Sequence, residues 1–155
     1  PFLALEAFAQ LGPSYRLRIG GYGSQLVQMK AFVQKNGLRD VVTFLGVMDK
    51  VQINEEFGKV TAFIHCSEYE TFSVVCAESI SSGCPVIASD VGGIKEFINS
   101  ENGVLVPRSD LTSWIESLST FGDRRYNRMD ISANAKSRFN LDYLKEKLRH
   151  EFEEN

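Results

Sequence analysis

The 155-residue sequence contains no Cys-x-x-Cys pair, no Asp-x-Asp pair, only four prolines and only two histidines. No apolar run approaches the roughly 20 residues needed to cross a bilayer, and no basic region precedes an apolar one at the start, as it would in a signal peptide. The cysteines, Cys66, Cys76 and Cys84, form an odd set in apolar surroundings. They read as reduced, packed thiols, which points to a cytoplasmic protein. His65 and His150 lack a Cys or His partner at metal-ligand spacing, so no metal is assigned and satisfied or solvated imidazoles are expected. A basic excess is missing too: 17 Lys and Arg against 20 Asp and Glu leave a formal charge of -3. That balance argues against nucleic acid as a partner. The chain opens at Pro1, directly on a helical pattern, and is expected to be a piece of a longer protein that could still dock on a membrane surface.

What is present is a regular alternation. Leu3, Ala4, Ala7, Phe8 and Leu11 recur at helical spacing until Gly12-Pro13. Strands are expected over 16–20, 41–46, 60–65, 85–89 and 103–106. Helices are expected over 24–36, 50–58 and 73–82, with a short one after Gly92-Gly93. Only helices follow Pro107, over 111–121, 126–139 and 141–153. Strands of near-continuous apolar residues alternating with helices mark a parallel sheet covered on both faces. The expected fold class is therefore α/β: one domain with a Rossmann-like, doubly wound parallel sheet and a helical C-terminal tail.

In such sheets ligands bind beyond the carboxyl ends of the strands, which singles out the loops 20–24, 46–50, 65–73 and 89–94. "GGYGS", around Gly21, follows the first strand and opens a helix, but it lacks the full Gly-x-Gly-x-x-Gly pattern and is equally a plain tight turn. The stretch "SEYETFSVVCAES" is more informative. Glu70 precedes a helix whose first free amides belong to Ser73, Val74 and Val75, a natural site for a phosphate group. Glu78 lies about one turn inside that helix, and helical side chains lean toward the N-terminus, so its carboxylate can reach back to the same ligand. A carboxylate suits a ribose diol, and amides suit a diphosphate. The plainer alternative is that Glu70 complements the helix dipole and Glu78 sits on a solvated face. Val74, Val75, Cys76, Ala77 and Ile80 leave little room for such a face.

These residues carry a resemblance. "SEYETFSVVCAESISSGCPVIASDVGG", followed by "KEF" and "NGVLVP", resembles the donor-binding half of the retaining glycosyltransferases of family 4, the glycosyl transferases group 1, with the GT-B fold. The resemblance implies that Glu78 holds the ribose of a nucleotide-diphosphate sugar and that Glu70 lies by the transferred sugar as nucleophile or electrostatic stabiliser. It further implies that the amides of Ser73, Val74 and Val75 cradle the diphosphate and that Val47, with Asp49, meets the base. Gly92 and Gly93 lie in the loop beside the sugar, and Glu96 either orders that loop or caps the short helix. No cofactor or metal is implied. The acceptor would be a saccharide, a lipid or a polymer, met largely by a second domain, and the whole enzyme would work in the cytoplasm or peripherally at its membrane face.

Two departures follow. Ser73 stands where the family usually has glycine, and its oxygen could cap the helix, taking an amide from the phosphate. The family's Arg and Lys that neutralise the leaving diphosphate would lie upstream of Pro1, on a first strand that belongs in the middle of the order 3-2-1-4-5-6. A direct pairing of the strands at 16–20 and 60–65 would refute that order. Arg124, Arg125 and Arg128 form a basic cluster that is either a solvated helix face or a contact for an anionic acceptor. Trp114 is expected to be packing. The alternative functions are a sugar-nucleotide epimerase and a non-catalytic nucleotide-sugar-binding module.

Overall fold

The computed structural model describes residues 2–140. Its elements follow in the order α1 (Phe2–Phe8), β1 (Leu17–Gly20), α2 (Leu26–Lys35), β2 (Val42–Gly46), α3 (Lys50–Lys59), β3 (Phe63–His65), α4 (Val74–Ser81), β4 (Val86–Ser89), β5 (Gly103–Val106), α5 (Leu111–Thr120) and α6 (Arg128–Arg138). Short 3-10 turns cover Gly92–Glu96 and Phe121–Asp123. The helix expected over 141–153 lies outside the described residues.

The strand β4 shows why the sheet is doubly covered. It pairs in parallel with β3 on one side and β5 on the other, and all four of its residues are buried. Successive side chains on a strand point to opposite faces. Ile87 accordingly joins one apolar cluster with Leu5 and Phe8 of α1, Met29 and Val33 of α2, and Trp114 and Leu118 of α5. Val86 and Ala88 join the other, with Cys76 and Ile80 of α4, Phe97, and Ile131 and Ala135 of α6. Trp114 is fully buried, as expected of a packing residue. Burying a side chain such as Ile87 stabilises the fold by about 1.5–3 kcal/mol relative to exposure.

The sheet is interrupted. β1 pairs with β2, and β3, β4 and β5 form a separate parallel set, with no ladder between β1 and β3. The pairing that would have refuted the assumed order does not occur, and the break falls where the order places a further central strand. β3 reflects this: it spans Phe63–His65 rather than the expected 60–65, and its residues are only half-buried. Its ladder begins where the Phe63 amide donates to the Pro85 carbonyl, so residues 60–62 have no partner to hold them in strand form. Both ladders still contribute to one core, through Leu17 and Val42 on one side and Ile87 and Val106 on the other.

Between β2 and β3, α3 starts at a capping box: the Asp49 carboxylate accepts from the Gln52 amide at 2.8 Å, and Gln52 Oε1 accepts from the Asp49 amide at 2.9 Å. At its other end Arg128 reaches in from the start of α6. Its guanidinium donates to the Val60 carbonyl at 2.9 Å and to the Phe57 carbonyl. This corrects the reading of a three-arginine solvated face, since Arg124 and Arg125 are exposed but Arg128 is spent on capping α3.

Candidate functional site

The loop from Cys66 to Ser73 leaves the carboxyl end of β3 and turns into α4. It is fastened from several directions. Arg108 donates to the Glu68 carbonyl at 2.8 Å, and Ser67 Oγ donates to the Tyr69 carbonyl at 2.8 Å. The Phe72 ring packs on Phe97 and Phe139, with centroids 5.1 and 5.9 Å away. The turn at Gly92–Gly93 presses on it from below. The Gly93 amide donates to the Thr71 carbonyl at 3.2 Å, and a Cβ on Gly93 would stand 2.3 Å from that oxygen. Only residues without a side chain fit there.

At the start of α4 the first intrahelical bond runs from the Ala77 amide to the Ser73 carbonyl. The amides of Ser73, Val74, Val75 and Cys76 find no acceptor among the described residues. Ser73 has φ 67 and makes no capping bond, so the expected competition between its hydroxyl and a ligand for an amide does not arise. Its Oγ is buried without a hydrogen-bond partner instead. The reason is conformational: a left-handed backbone at this position directs the side chain away from the helix end it would otherwise cap.

The two glutamates have different surroundings. Glu70 Oε1 lies 2.7 Å from His65 Nε2, with the two side chains 25% and 18% exposed. Glu78 projects toward α3, into a hollow of about 230 Å³ lined also by Lys50, Ile53, Asn54, Phe57, Ser81 and Ser82. Its carboxylate has no hydrogen-bond or ion-pair partner among the described residues. A second hollow, of about 260 Å³, lies over the β1–α2 turn between Gly20 and Met29. Each is below the roughly 300–1,000 Å³ of a complete small-molecule site, so each can serve only as part of one.

The other expected site residues are placed as follows. Val47 is 71% exposed at the end of β2. Asp49 commits one carboxylate oxygen to capping α3. Gly21 has φ 106 and donates its amide to the Gly46 carbonyl at 2.7 Å, so it lines the second hollow without offering that amide to a ligand. Glu96 is exposed at the end of the 3-10 turn and makes no side-chain cap, while its carbonyl accepts from Arg138. Among the described residues no cluster of three or more His, Cys, Asp or Glu side chains is arranged to hold a metal ion. Burial pushes the Cys66 thiol up to about 12 and the Cys76 thiol up to about 11, which keeps both protonated and unreactive.

Sequence reasoning missed His65, Arg108 and Phe72 as parts of the site. A signal existed for His65, which closes the strand that feeds the Glu70 loop. None existed for Arg108, which lies forty residues from the carbonyl it binds.

Comparison with known proteins gives the family and the fold. The chain is 36% identical over 122 residues to an exopolysaccharide phosphotransferase of Streptomyces coelicolor, covering 75% of this chain and 13% of that protein. It is 32% identical over 130 residues to the D-inositol 3-phosphate glycosyltransferase of Mycolicibacterium smegmatis, covering 80% and 30% respectively. It thus spans well under half the length of these relatives. Among solved structures it superposes on the apo form of the lipopolysaccharide outer core galactosyltransferase WaaB with a TM-score of 0.85 at 24% identity, covering 98% of this chain and 44% of that one. It superposes on Anabaena HepE in complex with UDP and glucose with a TM-score of 0.83 at 20% identity, covering 99% and 44%. These structural likenesses establish the GT-B fold. The sequence model of the glycosyl transferases group 1 matches residues 1–138, and the chain belongs to that family.

Proposed function

We propose that this chain is the donor-binding half of a retaining hexosyltransferase, which moves a sugar from a nucleotide-diphosphate sugar to an acceptor hydroxyl. The observation that carries the proposal is the row of amides from Ser73 to Cys76 without acceptors, at the start of the helix that follows Glu70 and carries the unpaired Glu78. Unpaired amides at a helix start, with the positive end of the helix dipole, favour a diphosphate. Glu78 would hold the ribose hydroxyls, and Val47 and Asp49 would border the base. Glu70 would stand by the sugar, with the Gly92–Gly93 turn fixing its loop.

In the reaction the bond from the anomeric carbon to the diphosphate oxygen breaks, the nucleoside diphosphate leaves, and the acceptor oxygen attacks from the same face as its hydroxyl proton passes to the departing diphosphate. Catalysis would rest on positioning and on stabilising charge on the leaving group. Cations for that group would come from the Arg and Lys that the resemblance places upstream of Pro1, and most contacts to a saccharide, lipid or polymer acceptor from a second domain. That HepE was solved with UDP and with UDP-glucose makes UDP the first nucleotide to try.

The test is calorimetric titration of UDP, GDP and ADP into this chain and into Glu78→Ala. Hydrogen bonds to a charged group are worth about 1.5–3 kcal/mol, so the variant should lose about tenfold or more in affinity. Binding that survives the substitution unchanged would remove Glu78 from the ribose site. Acceptor-dependent release of nucleoside diphosphate by the full-length protein separates a transferase from an epimerase or a non-catalytic binding module.

A further inference from the structure

We infer that His65 is a positioning residue for Glu70, setting which carboxylate oxygen faces the donor sugar. The inference rests on the proposed placement of that sugar at Glu70. Three observations carry it. First, the Glu70 backbone is fixed, because the Gly92–Gly93 turn packs against the carbonyls of Glu70 and Thr71. What remains free is the side chain, and a glutamate has rotatable bonds enough to lose appreciable entropy when ordered. Second, the contact to His65 Nε2 at 2.7 Å is the hydrogen bond that holds this carboxylate among the described residues. It occupies Oε1 and leaves Oε2 for a ligand. The imidazole supplies the bond as an Nε2–H donor, whether it is the neutral tautomer with that proton or the imidazolium.

Third, the imidazole is itself held. His65 and Phe63 are two apart on β3 and so share a face of the strand. Their rings stack at 6.0 Å with an interplanar angle of 27°, and Phe57 of α3 meets Phe63 edge-on at 5.4 Å. An aromatic file thus runs from α3 to the imidazole and ends at the glutamate. A hydrophobic residue at 65 would keep apolar contact with Phe63 and the strand while releasing Glu70. A charge-assisted hydrogen bond in a partly buried pair restricts orientation more than an exposed one would, because less water competes for the same oxygen.

The experiment uses the full-length enzyme carrying this domain, with UDP-glucose, GDP-mannose and ADP-glucose as probe donors. Water stands in for the acceptor: its oxygen joins the anomeric carbon as the bond to the diphosphate breaks, its proton passes to the departing diphosphate, and the released nucleoside diphosphate is measured. His65→Leu is expected to lower kcat about 10- to 100-fold, the scale of a misplaced catalytic group. The donor KM is expected to stay within about twofold, since ribose and diphosphate contacts are untouched. His65→Gln, whose amide N–H falls near the place of Nε2, is expected to restore most of the rate, and thermal unfolding of both variants checks that they are folded. An unchanged kcat in His65→Leu, with nucleotide binding still dependent on Glu78, would overturn the inference and leave the donor site standing. Equal loss in the Leu and Gln variants, together with weakened nucleotide binding, would reduce His65 to a structural role and also overturn it. Nucleotide binding indifferent to Glu78, or no release from any of the three donors by the wild-type enzyme, would overturn the donor site and the inference together.

Discussion

Gly92 lies directly against Glu70: a Cβ on Gly92 would stand 1.5 Å from the Glu70 carbonyl oxygen. The oxygen belongs to the backbone and cannot swing aside as a side chain would. Gly92 also has φ 52, in the left-handed region. Gly92→Ala should therefore displace the Glu70 loop or the turn beneath it and destabilise the chain by about 1–3 kcal/mol, the range for overpacking. Urea unfolding measures it. A midpoint equal to wild type would mean that the two segments separate freely.

Ser73 predicts the opposite sign. It combines a left-handed backbone with a buried hydroxyl that lacks a hydrogen-bond partner. Glycine removes both costs, and its own extra freedom in the unfolded chain offsets part of the gain. Ser73→Gly should stabilise the fold by about 1 kcal/mol, read as a higher thermal midpoint, and should leave the α4 amides available. A lower midpoint would show that the hydroxyl is satisfied after all.

Arg128 should matter to stability and not to ligands. Its guanidinium satisfies two carbonyls at the end of α3, those of Phe57 and Val60, and hydrogen bonds to charged groups are worth about 1.5–3 kcal/mol. Arg128→Ala should cost roughly that much in chemical denaturation, with adsorption to anionic vesicles unchanged. Reduced vesicle binding at unchanged stability would restore the reading of an acceptor contact.

Glu56 gives a pH dependence. A hydrogen bond from Arg18, and then one from Lys59, lowers its carboxyl from 4.5 to about 2. A carboxyl depressed by folding contributes stability above its unfolded value and loses it as pH falls toward its folded value. The acid limb of the thermal midpoint should therefore include a component between about 4.5 and about 2 that Glu56→Gln removes. Salt should shrink that component, because the Arg18 guanidinium is partly exposed. An acid limb identical in the variant would assign the loss to other groups.

Much of this was legible before any coordinates. The alternation of apolar strands and helices gave the elements within a few residues, because period 2 and period 3.6 are local properties of the chain. The exceptions are instructive: the strand expected from Val60 begins only at Phe63, since a strand needs a neighbour as well as a propensity. Three arginines close in sequence looked like one surface, yet Arg128 turned inward because α3 ends beside it with unsatisfied carbonyls.

The sequence by itself determined the α/β class, the order of strands and helices, and the placing of Glu70 ahead of α4 and of Glu78 within it. Those follow from residue type and spacing along the chain. Only the tertiary structure decided that His65 holds Glu70, that Gly92 lies against it, that Ser73 leaves its helix uncapped and that Arg108 ties down the loop. Each of these depends on where loops come together after the helices have packed on both faces of the sheet. No periodicity encodes such meetings, because they are set by the relative placement of elements distant in sequence.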